Sequence, residues 1–295
     1  MITAEYQTFL ILSETLSYTK TAAKLFISQP AVTQQIQRLE NQLEIKLVNY
    51  QRPYLKLTPA GEELAVFLTR IRSQTTQLME ILQDDHQKHE IQFGITRSLG
   101  EVFGSQLIEF LQLKNDLQKI SCLAENTQHI LQQIELGKMD FGIIEGNFNK
   151  AKFSYHILSQ EEFIPICSPT HPLAKKKIVS WNELASYPLL IREPGSGSRT
   201  LLTALAQKEN ISLNDFKQLI TISEPTLIRQ LVCAGSGISF LYRLLIKKEL
   251  AAGTIKQLPL ERGTIAHDLY FIYAKENYFA QQYFKWFTEL KQQLQ

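Results

Sequence analysis

The chain is short of the residues on which several function classes depend. Its 295 residues include three cysteines, Cys122, Cys167 and Cys233, far apart and with no C-x-x-C pair. That excludes a disulfide-stapled scaffold and predicts a reducing compartment, with the thiols buried as small hydrophobes. No run of about twenty apolar residues occurs, so no helical membrane span and no membrane partner are expected. The opening stretch MITAEYQTFLILSETLSYTK has acidic residues where a secretory leader needs basic ones, so the expected location is cytoplasmic. Net charge is only +2 and charged residues make up 20%, so bulk charge announces no nucleic-acid partner. Catalytic signatures are also missing: no H-E-x-x-H, no P-loop and no G-x-S-x-G elbow. GSGIS near Gly235 lacks a third glycine at dinucleotide-binding spacing. His86 and His89, separated by Gln87 and Lys88, read as a solvated pair rather than a metal clasp. No enzyme activity, cofactor or metal is expected.

What is present begins with helices. Tyr6, Phe9, Leu10 and Leu16 mark a first amphipathic helix, and TKTAAKLF a short second one whose Ala22 and Ala23 permit close helix approach. After a four-residue turn, FISQ, a third helix runs through SQPAVTQQIQRLENQL. Ser28 can cap it and Pro30 suits its first turn, where a missing N–H costs nothing. Val32, Ile36, Leu39, Leu43 and Leu47 recur at three- and four-residue steps and share one face. The opposite face carries Pro30, Gln34, Gln37, Arg38 and Asn41, with Gln29 and Thr33 at its margins. Side-chain amides donate and accept side by side, matching adenine in the major groove, as arginine matches guanine. Phosphate charge would come from Lys20, Lys24, Arg52 and Lys56. Taken alone, such a face is equally a solvated helix surface. NYQRPYLKL suits a two-stranded wing, completing a winged helix-turn-helix over residues 1–58.

Thr58-Pro59 opens a linker helix, residues 59–89, with Glu62 and Glu63 in its positive first turn. Leu64, Phe67, Ile71, Leu78 and Ile81 form a heptad seam, interrupted by Gln74, that suits a partner helix in a second copy of the chain. QDDHQKHE reads as a hinge. Residues 90–295 then alternate apolar strands with helices: IQFGIT, KISCLAE, MDFGIIEG, EEFIPICS, PLLIRE, KQLITI, GISFLY and DLYFIYA. ILQQIELGKMDFGII and LIRQLVCAGSGISFL echo one another as helix, glycine turn, buried strand. The α/β class follows, with lobe one at 91–162 and 267–295 and lobe two at 163–266. YFAQQYFKWFTELKQQL closes the chain as a helix.

Strand ends that lead into helix N-termini expose free N–H groups to a ligand. Thr96 and Ser98 follow the first strand, and Asn126 and Thr127 start another helix. IREPGSGSRTLL supplies Arg192, Ser196, Gly197, Ser198 and Arg199, with a helix beginning near Arg199. For Thr127 or Ser98 alone, helix capping is the better account. ISEPTLIRQLV adds Ser223, Glu224 and Thr226.

The N-terminal residues FLILSETLSYTKTAAKLFISQPAVTQQIQRLENQLEIKLV, followed by LTPAGEEL, resemble LysR-type bacterial transcriptional regulators, and the likeness continues to the end of the chain. The resemblance implies that Gln29, Pro30, Thr33 and Gln34 line the groove-facing start of the recognition helix, with Arg38 near the backbone. Where the family often has L-F-x-R, this chain has Leu47-Val48-Asn49-Tyr50, so the resemblance implies a phosphate-contacting arginine that is either missing or displaced to Arg52. It also implies two lobes like type 2 periplasmic binding proteins around a small-molecule effector, and a dimer or tetramer on a pseudo-palindromic promoter site. RNA polymerase is an implied partner. REPGSGSR resembles the R-E-P-G-S-G-T-R loop of subgroups that respond to carbon- or sulfur-metabolism signals. Glu224-Pro225 departs from the common Ser-Thr pair. Its carboxylate implies either an amine-bearing ligand or an ion pair with Arg192, Arg199 or Arg229. The rival reading is a small-solute-binding module whose helical head docks a protein rather than DNA.

Overall fold

The computed structural model describes residues 3–51, 54–83, 89–114, 117–261, 263 and 265–294. They form two compact units, Met1–Gln87 with Glu135–Lys138, and Lys88–Ile134 with Met139–Gln295. No helix among the described residues is long and apolar enough to cross a membrane.

The first unit begins with three helices, α1 (Ala4–Thr15), α2 (Tyr18–Leu25) and α3 (Gln29–Leu43). A hairpin of β1 (Val48–Gln51) and β2 (Tyr54–Leu57) follows, then the long helix α4 (Pro59–Gln83). Each of the first three helices stops at a left-handed residue that is not glycine: Leu16, Phe26 and Glu44. The apolar stripe of α3 packs as its spacing requires, with Val32, Ile36 and Leu39 joining Phe9, Leu10, Leu12, Ala22, Leu47, Leu55 and Leu68 in one core. The turn between α2 and α3 is tighter than FISQ suggested, because Gln29 is already helical. Only Ala22 is buried at the helix contact; Ala23 faces solvent. The start of α4 lies directly on the chain leaving α3, where a Cβ on Gly61 would sit 2.1 Å from the Leu47 carbonyl oxygen. Thr58 fastens this corner, donating to the Lys46 carbonyl at 2.7 Å and accepting from the Gly61 N–H at 3.0 Å. Of the heptad residues, Phe67 is exposed and Leu64, Ile71 and Leu78 are partly buried. Arg52 and His86 lie outside the described residues, as does most of the proposed hinge.

The second unit is a nine-stranded sheet with helices around it. In chain order its elements are β3 (His89–Thr96), α5 (Arg97–Gln112), β4 (Leu117–Glu125), α6 (Thr127–Glu135), β5 (Phe141–Glu145) and β6 (Phe153–Cys167). Then come α7 (Trp181–Ala185), β7 (Pro188–Arg192), α8 (Gly197–Lys208), β8 (Gln218–Ile222), α9 (Pro225–Cys233) and β9 (Ile238–Tyr242). The chain closes with α10 (Lys247–Ala251), β10 (Lys256–Gln257), β11 (Ile265–Ala274) and α11 (Ala280–Gln293). Strand order is β4-β3-β5-β11-β6-β9-β7-β8, with β10 paired to β6. The parallel trios β4-β3-β5 and β8-β7-β9 repeat one arrangement, and the antiparallel strands β11 and β6 join them. The sequence echo lies here, since α6 leads into β5 as α9 leads into β9, and both strands are buried throughout.

All eight apolar segments are strands. The reading nonetheless missed the first half of β6, where FSYHILSQ mixes polar and apolar residues on a partly exposed stretch. The expected lobe limits at 162/163 and 266/267 fall inside β6 and β11, which run unbroken across them. The cysteine expectation holds only for Cys167; Cys122, on β4, and Cys233, at the end of α9, are exposed.

Candidate functional site

In the first unit the polar face of α3 looks outward. Gln29, Pro30, Gln34, Gln37, Arg38 and Asn41 are exposed, and Thr33 is half-buried with its hydroxyl donating to the Gln29 carbonyl at 3.2 Å. Ser28 caps the helix, its hydroxyl accepting from the Ala31 N–H at 3.3 Å. Gln35 points the other way and pairs with Thr8 of α1. Lys20 and Lys56 are exposed at the edges, whereas Lys24 lies 3.6 Å from Glu14.

Sequence reasoning missed Glu40, which is 5% exposed on the core side of α3. Its carboxylate takes the Lys46 ammonium at 2.6 Å and the Leu47 and Val48 N–H groups at 2.8 and 3.2 Å. Burial pushes its pKa up, but the bonds from Lys46, Leu47 and Val48 outweigh that and hold it below the usual range. Glu40 therefore fixes how the wing leaves the recognition-type helix. Nothing but a break in the polar pattern, a charge beside Leu39, could have flagged it.

In the second unit four strands end at one place. Thr96, Glu145, Arg192 and Tyr242 are the last residues of β3, β5, β7 and β9. Ligands of open α/β sheets bind in such a crevice, outside the carboxyl ends of the strands. The predicted residues divide here. Arg192 is 3% exposed and donates to the Ser98 hydroxyl at 3.0 Å. Ser196 and Ser198 share a hydrogen bond of 2.9 Å, and α8 starts at Gly197, earlier than expected. Thr127 is no cap: its hydroxyl donates to the Glu145 carbonyl at 2.9 Å and accepts the Gly197 N–H at 3.2 Å. Asn126 does cap α6, accepting from the His129 N–H at 2.9 Å. Gly197 is indispensable to this closure, since a Cβ there would stand 2.1 Å from the Glu145 carbonyl oxygen.

Arg199 turns back to the Arg192 carbonyl at 2.7 Å, away from the crevice floor. Ser223, Glu224 and Thr226 are exposed, and Thr226 donates to Glu101 at 2.7 Å. Glu224 does not pair with Arg192, Arg199 or Arg229. Its partner is Arg97, 3.5 Å away, which also reaches Glu125 at 2.9 Å and Glu193 at 3.1 Å. Arg192 is held by Glu193 at 2.8 and 3.1 Å, and Arg229 by Glu101 and by Glu249 at 3.4 Å. The three expected ion pairs do not form because Arg192 and Arg229 each have another carboxylate nearer to hand and Arg199 bonds to the Arg192 carbonyl.

Glu145 is the residue at the centre that the sequence reading overlooked. It is 1% exposed, and burial pushes its pKa up to about 7, against the pull of the Arg192 charge and of the Ser98, Thr96 and Ser198 hydroxyls. Tyr242 is completely buried, and burial first, then the Glu145 charge, raises its phenol well above the usual range. A single polar residue ending the apolar run FGIIE was the available signal.

Residues 84–295 match a family model described as LysR substrate binding domain, and residues 4–62 one described as bacterial regulatory helix-turn-helix protein, lysR family. The chain belongs to the LysR family. It is a DNA-binding transcriptional regulator with an effector-binding domain. Among curated relatives, the HTH-type transcriptional regulator CysL of Bacillus subtilis is 26% identical over 91% of this chain and 89% of its own length. The HTH-type transcriptional activator CmpR of Synechocystis is 28% identical over 92% of this chain and 88% of its own. The crystal structure of ArgP from Mycobacterium tuberculosis superposes with a TM-score of 0.74 at 15% identity, covering 99% of this chain and 97% of that one. Its architecture is thus the one found in full-length LysR regulators. The relatives named are regulators of transcription.

Proposed function

We propose that α3 reads a specific DNA sequence through Gln29, Pro30, Thr33, Gln34 and Gln37, while Arg38, Lys56 and Arg52 meet the phosphate backbone. The observation that supports this is the outward amide row of α3, uncharged but for Arg38 and free of neighbouring side chains over most of its length. Amide pairs with base edges discriminate by about 1–3 kcal/mol each. Residues 1–58 are the reading head, 59–89 the dimerising linker and 90–295 the effector domain. Two heads in a two-fold dimer would meet a pseudo-palindromic promoter site in the cytoplasm. Pairing of effector domains makes a tetramer, and RNA polymerase is the downstream partner.

The effector binds in the crevice bordered by Thr96, Ser98, Asn126, Thr127, Arg192, Ser196, Gly197, Ser198 and Arg199, with Ser223, Glu224 and Thr226 at its rim. It acts by shifting a population between two arrangements of the domain. A gel-shift assay on DNA upstream of the chain's own gene tests the head. Gln34→Ala is expected to weaken binding roughly 5- to 150-fold, the equivalent of one lost base contact, and Arg38→Ala to weaken it on all sequences alike through a lost phosphate contact. Undiminished binding by both variants contradicts the assignment.

A further inference from the structure

The crevice holds more arginines than an anion needs, yet none of them is at liberty. Arg192 is gripped by Glu193 through two bonds, Arg97 by Glu125, Glu193 and Glu224, and Arg229 by Glu101 and Glu249. Arg199 is turned to a backbone carbonyl. An incoming carboxylate or phosphate must break one of these pairs before it gains a partner of its own. The acceptor side of the crevice differs. Glu145 Oε2, Thr96 Oγ1 and the Tyr242 hydroxyl are buried, and none makes a well-formed hydrogen bond among the described residues, although the Thr96 hydroxyl stands close enough to Glu145 to pull its pKa down. All three belong to strand ends that open on the same crevice. Buried polar atoms are ordinarily satisfied, so three together mark a place where a donor is expected.

We propose that the effector carries a cationic donor head, an ammonium or guanidinium, which bonds to the Glu145 carboxylate with the Thr96 and Tyr242 oxygens as flanking acceptors. This rests on the reading that the crevice is the effector site. An ammonium brings N–H donors for the carboxylate and for the two hydroxyl oxygens, while the hydroxyl protons are left to donate to Glu145. A charge-assisted bond to a buried carboxylate is also stronger than a neutral one. Because Glu145 is 1% exposed, the ligand reaches it only when the turn through Gly197 lifts from the end of β5.

Three four-carbon probes separate the possibilities on the full chain: putrescine, 1,4-butanediol and succinate, with agmatine as the guanidinium form. At about 5 mM, putrescine or agmatine is expected to raise the melting temperature by mass action, while butanediol and succinate leave it unchanged. Glu145→Gln, which keeps shape and loses charge, is expected to weaken the cation at least ten-fold, the loss of one charged hydrogen bond. Glu145→Asp keeps the charge and is expected to retain more of the binding than the amide does. If neither cation shifts melting, or if a cation binds Glu145→Gln as well as it binds the parent, the proposal is wrong. If succinate binds instead, weakened by Ser198→Ala but indifferent to Glu145→Gln, the crevice is the effector site and only the cation assignment falls. Binding of any probe that is indifferent to Glu145, Ser198 and Thr127 substitutions alike overturns the crevice reading itself.

Discussion

The outer face of α3 and the crevice of the effector domain are both polar, but they are built on opposite plans. The face is a row of exposed side chains from one short segment, nearly uncharged and with few partners. The crevice is made of buried or half-buried groups from eight elements, dense in charge and mostly satisfied within the chain. A duplex is a large partner that comes to the protein, so its reader has to remain solvated and presented. A small effector must be surrounded, so its site is desolvated, and each charge there needs a partner whether or not the ligand is bound. The lesson is that the face proposed to read DNA can be free of internal bonds while the crevice proposed to hold an effector cannot. The few unpaired atoms in the crevice are therefore its most informative feature.

The sharpest test of that contrast is pH. Glu145 has a folded-state pKa of about 7, against an ordinary 4.5. The folded protein then holds this proton more tightly than the unfolded chain. Stability from this group is complete below the ordinary value, declines as pH rises between the two, and levels off above about 7. Glu145→Gln has no such slope. Urea titrations should show the variant gaining ~3 kcal/mol on the parent between about pH 4 and about pH 8. A constant difference would mean the carboxyl is not desolvated as described.

Glu40 is the counterpart in the head, a buried carboxylate with every bond made. Its pKa is lowered, so its stabilisation is complete above the ordinary carboxylate range and is lost as pH falls through the folded value. Glu40→Ala strands the Leu47 and Val48 N–H groups and should cost ~2–3 kcal/mol. Hydrogen exchange is expected to accelerate at those two amides first. In the crevice, Gly197→Ala should cost ~2 kcal/mol by overpacking against the β5 backbone. Loss of exchange protection at the residue 197 amide, which donates to Thr127, would report the lifted turn. The smallest effect belongs to the head again. Phe26 is 95% exposed in a left-handed conformation at φ 55°, so Phe26→Gly should raise the melting temperature, by ~0.5–1 kcal/mol of stability. Specific DNA binding should be unaltered, and a drop would place Phe26 at the interface.

The two regions were unequally legible. Helical spacing alone separates Val32, Ile36 and Leu39 from Gln34, Gln37 and Arg38, so the exposed row of α3 follows from one stretch of sequence. For the crevice, the sequence singled out loops that do meet at the strand ends, but not their contacts. REPGSGSR drew attention to Arg192 as a ligand group, yet its own neighbour Glu193 occupies it. Arg97 and Tyr242 attracted no notice, because neither lies in a recognisable pattern. Arg97 matters through its ion pairs with Glu125, Glu193 and Glu224, and Tyr242 through its burial near the Glu145 charge. Contacts in this region join distant positions, Ser98 and Arg192 standing 94 apart.

Local order was therefore determined by the sequence: helix and strand periods, the capped start of α3, the wing, the alternation that makes an α/β sheet. These depend on interactions within a few residues, which a string of letters contains in full. Tertiary structure alone decided which carboxylate neutralises which arginine, that Thr127 bridges rather than caps, and that Glu145 is buried among strand ends. Burial and pairing are properties of assembled neighbours, and their energies depend on a low-dielectric interior that exists only once distant segments have met.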